Sequence, residues 1–229
     1  MCYFILWNKS EDRKRGIIIL GKQSSGFVYR FMVMIIGAAV MGAGCAMAVS
    51  TTLGGDPLAW VWEALTYHLP ITLLIANLIV SFLLLIPPII WDRQQIGLGT
   101  VFQPIVLGVT CSLFLRVISG TESNYVVLVL GLAIMGIGAG IYNSVNLGRG
   151  SYDCCVFLMS NSLNKSIGTV RVVCDFILCA IALLLTHRLA IGPIIAIFCI
   201  GPIMNASLKI LNNVNNLFLT DRTPKIPRA

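Results

Sequence analysis

Charge is what this sequence has least of. Lysine, arginine, aspartate and glutamate together supply 11% of its 229 residues, where a soluble domain carries about 25%. Histidine is almost missing, with His68 and His187 alone, and neither has a paired nucleophile or a metal-ligand spacing. The eight cysteines (Cys2, Cys45, Cys111, Cys154, Cys155, Cys174, Cys179 and Cys199) include no CxxC and no zinc-like pattern. Most fall inside apolar runs, where a thiol behaves as a small hydrophobe, so free thiols are expected. No metal site and no cofactor is expected. The Gly-rich string "LGRGSY" (147–152) lacks the Lys-Ser/Thr of a phosphate-binding loop, and an all-helical membrane chain offers no βαβ unit for a dinucleotide. A rhomboid-like nucleophile motif with a deep histidine is absent too. The sequence therefore reads as a non-enzyme.

What it has is apolar length. Hydrophobic residues make up 57% of the chain and the mean hydropathy is +0.89. Runs such as "FMVMIIGAAVMGAGCAMAV" (31–49) and "YVVLVLGLAIMGIGAGIY" (125–142) approach the ~20 residues needed to cross a bilayer. The expectation is an all-α polytopic membrane protein with six spans, near 31–50, 69–90, 98–118, 125–145, 167–186 and 190–210.

The net charge of +7 does not point to nucleic acid, because of where the charge lies. Lys9, Arg13, Lys14, Arg15, Lys22 and Arg30 precede the first long run, and Lys209, Arg222, Lys225 and Arg228 cluster at the other end. By the positive-inside rule both termini read as cytoplasmic. The short apolar piece "CYFILW" (2–7) precedes these charges, which is the wrong order for a cleavable signal peptide. The chain divides into a basic N-terminal segment (1–30), a membrane repeat (31–118), a linker (119–124), a second repeat (125–211) and a tail (212–229).

The repeats are visible in the residues. "GAAVMGAGCAMAVSTTLGGDPL" (37–58) aligns without a gap on "GLAIMGIGAGIYNSVNLGRGSY" (131–152), at a separation of 94 positions. Gly37, Met41, Gly42, Gly44, Ser50, Leu53 and Gly54 each meet the same residue type in the second copy. Further on, Gly99 and Gly108 pair with Gly192 and Gly201 at a separation of 93. Three spans per copy is an odd number, so the second copy enters from the opposite side, giving inverted repeats of the kind found in many secondary transporters.

In these repeats "TTLGGDPL" (51–58) and "NLGRGSYD" (146–153) occupy equivalent turns, each leading into a segment too short to span. Pro57 suits the first turn of a helix and Ser151 an N-cap. Two arrangements fit the segments 57–69 and 151–163: half-helices whose N-termini face a central cavity and suit an anion, or short helices lying at the surface. Trp60, Trp62, Tyr67 and His68 form an interface-like aromatic set that fits the second.

Polar residues inside spans mark function. Asp175 lies about 12 Å past the start of its span at ~1.5 Å per residue, near mid-membrane. Arg171, four positions earlier, is placed to form an intrahelical pair with it. Either a coupling carboxylate or a structural ion pair fits. Asn77 sits at a similar depth in the first repeat, and Asn143, Asn146 and Gln103 add amides near the turns. The candidate substrate or ion site is therefore Asp175, Arg171, Asn146, Ser151, Asp153, Asp56, Asn77 and Asn143. Gly42, Gly44, Gly136, Gly138 and Gly140 are assigned to close helix packing.

The glycine-rich span, "NLGRGSYD", "SIGTVRVVCD" (166–175) and "LAIGPIIAIFCIGPIMN" (189–205) together resemble the YczE/YyaS/YitT-like bacterial integral membrane proteins. Asn146, Gly148, Gly150, Ser151 and Asp153 fit one motif of that group and Gly168-Thr169-Val170 a second. Gly192 and Gly201-Pro202 fit a third, with Pro193 where Thr is usual. The resemblance covers about residues 31–210 and implies a small multipass inner-membrane protein without indicating a substrate. The preferred reading is a transporter or channel-like protein for a small solute with its site between the turns. The main alternative is a scaffold or regulator acting through a membrane partner or as a homo-oligomer, and a lipid- or prenyl-handling enzyme using Asp56 and Asp153 ranks third.

Overall fold

The structure, a computed structural model, describes residues 24–118 and 124–220. Residues 1–23, with Cys2 and most of the basic N-terminal segment, linker residues 119–123 and the tail from 221 lie outside the described residues.

Among the described residues eight α-helices follow one another in two sets of four: α1 (Ser24–Val49), α2 (Pro57–His68), α3 (Leu73–Trp91), α4 (Leu98–Val117), then α5 (Tyr125–Ser144), α6 (Ser151–Leu163), α7 (Ile167–Thr186) and α8 (Gly192–Thr220). A 3₁₀ turn, Arg93–Gln95, joins α3 to α4. Six of these helices are long and apolar enough to cross a membrane: Gly26–Val49 of α1, α3, α4, α5, α7 and Gly192–Leu211 of α8. At about 1.5 Å per residue the 12-residue α2 and 13-residue α6 are far too short. Large apolar side chains such as Phe82, Val117, Leu184 and Phe198 point outward, as a bilayer environment allows and water does not.

Local chemistry sets the helix starts. The Asp56 carboxylate caps α2, accepting from Leu58 N–H at 3.3 Å, and Pro57 takes the first helical position, where its missing N–H costs nothing. Asn124 caps α5, accepting from Val126 and Val127 N–H at 3.0 and 3.2 Å. Ser166 caps α7, accepting from Thr169 N–H at 3.1 Å. Ser151 is not a cap: Gly150 holds that position and Ser151 is the first helical residue, buried against the interior.

The two sets pack by one scheme. α1 and α5 cross antiparallel at the centre, so close that a Cβ on Gly44 would lie 2.5 Å from the Gly131 carbonyl, and one on Gly138 would lie 2.9 Å from the Gly37 carbonyl. These contacts exchange under the 94-residue offset. Around that seam α4 packs on α1 as α8 packs on α5, and α2 packs on α7 as α6 packs on α3. The turns match residue for residue: Thr52 and Asn146 both adopt φ near +50°, and Gly54 and Gly148 both have positive φ, a region glycine enters without the Cβ clash. Equivalent main-chain bonds tie the turns to the opposite halves, Gly99 N–H to Leu147 O and Gly192 N–H to Leu53 O, both 2.9 Å.

Packing against other helices also decides where α2 lies. Pro57, Ala59, Trp60, Val61, Trp62 and Ala64 are buried, with Trp60 6% and Trp62 2% exposed, against α7, α3 and α8. Of the two arrangements open for 57–69, the surface helix does not hold, and the two tryptophans are core residues. Composition does not separate the two, because an aromatic set at a membrane interface and one in a bundle core use the same residue types. Tyr67 and His68 alone of that set are exposed.

Candidate functional site

Both short helices begin at one inner cavity of about 100 Å³ in the middle of the bundle. From the first half it receives Asp56, Trp62 of α2, Asn77 and Ser81 of α3 and Gln103 of α4. From the second it receives Ser151, Tyr152 and Asp153 of α6 with Arg171 and Asp175 of α7. Met41, Leu107, Met135 and Ile200 make the apolar wall. The 94-residue offset relates Asn77 to Arg171 and Ser81 to Asp175, a finer register than the depth argument, which set Asn77 beside Asp175.

The partners inside the cavity differ from the expected ones. Arg171 does not pair along its own helix with Asp175; its guanidinium reaches across to Asp153 at 3.0 Å and lies over the Tyr152 ring. Asp175 accepts instead from the Tyr152 hydroxyl. A neighbouring acidic helix can supply Arg171 with a closer partner than its own i+4 residue, and sequence spacing on α7 cannot report that. The N-termini facing the cavity are also already neutralised by the chain: Asp56 caps α2, and Asp153 sits in the first turn of α6. The anion site expected there is thus occupied by the protein's own carboxylates. Burial pushes the Asp56 carboxyl up to about 6, with the Asp175 charge adding to the push and the Leu58 N–H opposing it. Glu63, two turns along α2, is pushed to about 7 by burial and then by Asp56.

Asn77 donates from Nδ2 to the Pro104 carbonyl of α4 at 2.7 Å and accepts the Ser81 hydroxyl at 3.2 Å, closing the α3–α4 cleft. A Cβ on Gly108 would lie 2.7 Å from Asn77 Nδ2. The equivalent α7–α8 cleft is open: Gly201, the counterpart of Gly108, has nothing within 4 Å of its Cβ position. A second, wider cavity of about 720 Å³ occupies that gap, lined by Gln95, Asn143, Asn146 and Arg149 among others. It shares Asp153, Arg171, Gly201 and Met204 with the inner cavity, so the Arg171–Asp153 pair stands at the junction.

Of the sequence candidates, Asp56, Asn77, Ser151, Asp153, Arg171 and Asp175 converge on the inner cavity. Asn143 and Asn146 do not; they line the wider vestibule, where Asn143 Nδ2 donates to its own helix at Ala139 O, 3.0 Å. Gly42, Gly44, Gly136, Gly138 and Gly140 each sit where a Cβ would come within 3 Å of a neighbouring helix. Sequence reasoning missed Tyr152, Trp62, Ser81 and Glu63, and it missed Arg30, which donates from Nε to the Val145 carbonyl at 2.9 Å and closes the end of α5. The repeat register carried a signal for Ser81 alone.

Comparison with known proteins agrees with this architecture and adds no activity. An uncharacterized protein of Haemophilus influenzae is 19% identical over 184 residues, covering 78% of this chain and 83% of its own. The uncharacterized membrane protein YczE of Bacillus subtilis is 24% identical over 189 residues, covering 79% of this chain and 88% of its own. No solved structure matches significantly. A family model described as a family of unknown function, DUF6198, matches residues 28–209. This chain, a multipass helical membrane protein, belongs to that family.

Proposed function

We propose that this protein is a small transporter of the bacterial inner membrane, built from two inverted repeats with both termini cytoplasmic, and that it has no enzymatic role. One observation carries the reading. Two clefts related by the repeat lie on opposite sides of one cavity, and the α3–α4 cleft is closed by Asn77 and Gly108 while the α7–α8 cleft is open at Gly201. In an inverted-repeat carrier the two halves exchange conformations, so the open and closed clefts exchange and the site faces alternate sides. By the positive-inside rule the basic residues before α1 support a cytoplasmic position for the 146–153 turn and the open vestibule, which would make this an inward-facing state.

The cavity would hold the solute between Asp56, Asp175 and the Arg171–Asp153 pair. Stopped-flow osmotic re-swelling of proteoliposomes, run over a panel of small neutral, cationic and anionic solutes, tests this. At least one solute should enter faster than in protein-free vesicles, and Asp175→Asn should abolish the difference. A panel that enters no faster than through lipid, or a flux indifferent to Asp175→Asn, overturns the reading.

A further inference from the structure

The proposed transport reading leaves open what the inner cavity accepts, and two atoms in its lining residues narrow the choice. Asp56 Oδ1 and Trp62 Nε1 are buried without a hydrogen-bond partner among the described residues. Asp56 is 8% exposed and Trp62 2%. Buried polar atoms are rarely left unpaired, because each forfeits its hydration without compensation. One of these atoms is an anionic acceptor and the other a neutral donor. A ligand that satisfies both presents an N–H or O–H donor to the first and an acceptor atom such as oxygen to the second, and a positively charged donor makes the stronger bond to a carboxylate.

The remaining lining side chains favour the same sign. Three carboxylates, Asp56, Asp153 and Asp175, face the cavity against one guanidinium, Arg171, which is already engaged by Asp153 at 3.0 Å. A multiply ligated metal ion fits less well than an organic cation: no group of three His, Cys, Asp or Glu side chains among the described residues is placed to hold one. The apolar wall of Met41, Leu107, Met135 and Ile200 suits carbon instead. A volume of about 100 Å³ restricts the solute to a few heavy atoms.

We infer that the inner cavity binds a small protonated amine carrying a hydroxyl or carbonyl oxygen, with its ammonium on Asp56 Oδ1 and its oxygen on the Trp62 indole N–H. The inference deepens the transport reading and rests on it for what binding accomplishes. Arg171 and Asp153 then shield the site from the vestibule, and Asp175, held by the Tyr152 hydroxyl, adds the field that keeps the amine protonated.

Thermal unfolding of the purified full chain in detergent tests it, at matched ionic strength, with ethanolamine hydrochloride, methylammonium chloride, sodium formate and ethylene glycol as probes. Ethanolamine should raise the unfolding temperature saturably, methylammonium should act more weakly, and formate and ethylene glycol should have no saturable effect. Asp56→Asn keeps an N-cap acceptor and should weaken ethanolamine about tenfold to hundredfold, the loss of a hydrogen bond to a charged group. Trp62→Phe, which keeps the aromatic volume, should erase the advantage of ethanolamine over methylammonium and serves if Asp56→Asn fails to fold. No saturable ethanolamine effect, an equal response to formate, or an ethanolamine response indifferent to both substitutions overturns the proposal. Ethanolamine binding without flux of any solute would overturn the transport reading and leave this site standing. An Asp175-dependent flux of a solute with no amine binding would do the reverse.

Discussion

Arg171 on α7 reaches across to Asp153 on α6 at 3.0 Å, at the point where the inner cavity meets the vestibule. The two side chains are 26% and 22% exposed, so solvent screens the pair and its net contribution to stability is modest, about 1 kcal/mol. Arg171→Gln should lower the unfolding temperature only slightly while raising the rate at which a thiol reagent applied from the vestibule side modifies a cysteine at position 81. A large stability loss with unchanged access would make the pair a structural clamp instead of a barrier.

The central seam makes a prediction about symmetry. Gly44→Leu and Gly138→Leu each drive a side chain into the backbone of the opposing helix, Gly131 and Met135 in one case and Met41 and Gly37 in the other. Overpacking of this kind costs about 1–3 kcal/mol or more, and the two costs should be nearly equal because the contacts are repeat-related. Gly168→Ala, with open space around its Cβ position, should be neutral or stabilise by up to about 1 kcal/mol. Denaturation of the three variants in detergent measures this.

The two clefts should respond in opposite ways to the same change. Gly108→Leu meets Asn77 and Leu74 and should destabilise the protein, whereas the Cβ position of Gly201 has nothing within 4 Å and Gly201→Leu should fold normally. Yet Gly201→Leu should abolish flux in proteoliposomes, because α7 cannot then close on α8 as α3 closes on α4. Normal flux in Gly201→Leu would show that this cleft does not close.

Stability should depend on pH through α2. The Asp56 carboxyl moves from 3.8 to about 6 on folding, so the folded state binds its proton more tightly. The stability this contributes is complete below pH 3.8 and is lost as pH rises through about 6, with an upper bound of about 3 kcal/mol. Glu63, moved from 4.5 to about 7, extends the decline by about a unit. Asp175 of α7 and Glu63 share the field around Asp56. Unfolding temperature measured between pH 4 and 8 should fall for the native chain, Asp56→Asn should flatten the lower part, and Glu63→Gln the upper part. A native profile that rises over this range would contradict these assignments.

Much of this was readable from residues. Hydropathy marks the six long helices because a bilayer demands about 20 apolar residues per crossing, and the 94-residue offset was already present in Gly37, Gly44, Leu53 and Gly54. That offset is also a packing relation, since Gly37 and Gly44 meet α5 where their counterparts Gly131 and Gly138 meet α1. Six of the eight site candidates meet at the cavity because ionisable and amide groups in apolar helices have nowhere else to be satisfied. What stayed hidden was partner choice. Arg171 took Asp153 over Asp175, and Tyr152 took Asp175, because helices distant in sequence set those distances. Trp60 and Trp62 were misread for a related reason: their burial comes from α3, α7 and α8, not from anything within 57–68.

Ser81 lies on α3 at the inner cavity, buried, and equivalent by repeat to Asp175. In a chain whose native cysteines are replaced, Ser81→Cys can be challenged with a membrane-impermeant thiol reagent in vesicles of each orientation. Alternating access predicts modification from both faces, faster from the face of the 146–153 turn, and slowed from both by ethanolamine. Modification from that face alone, at a rate unchanged by ethanolamine, would contradict the account and leave a static pocket in a non-transporting membrane protein.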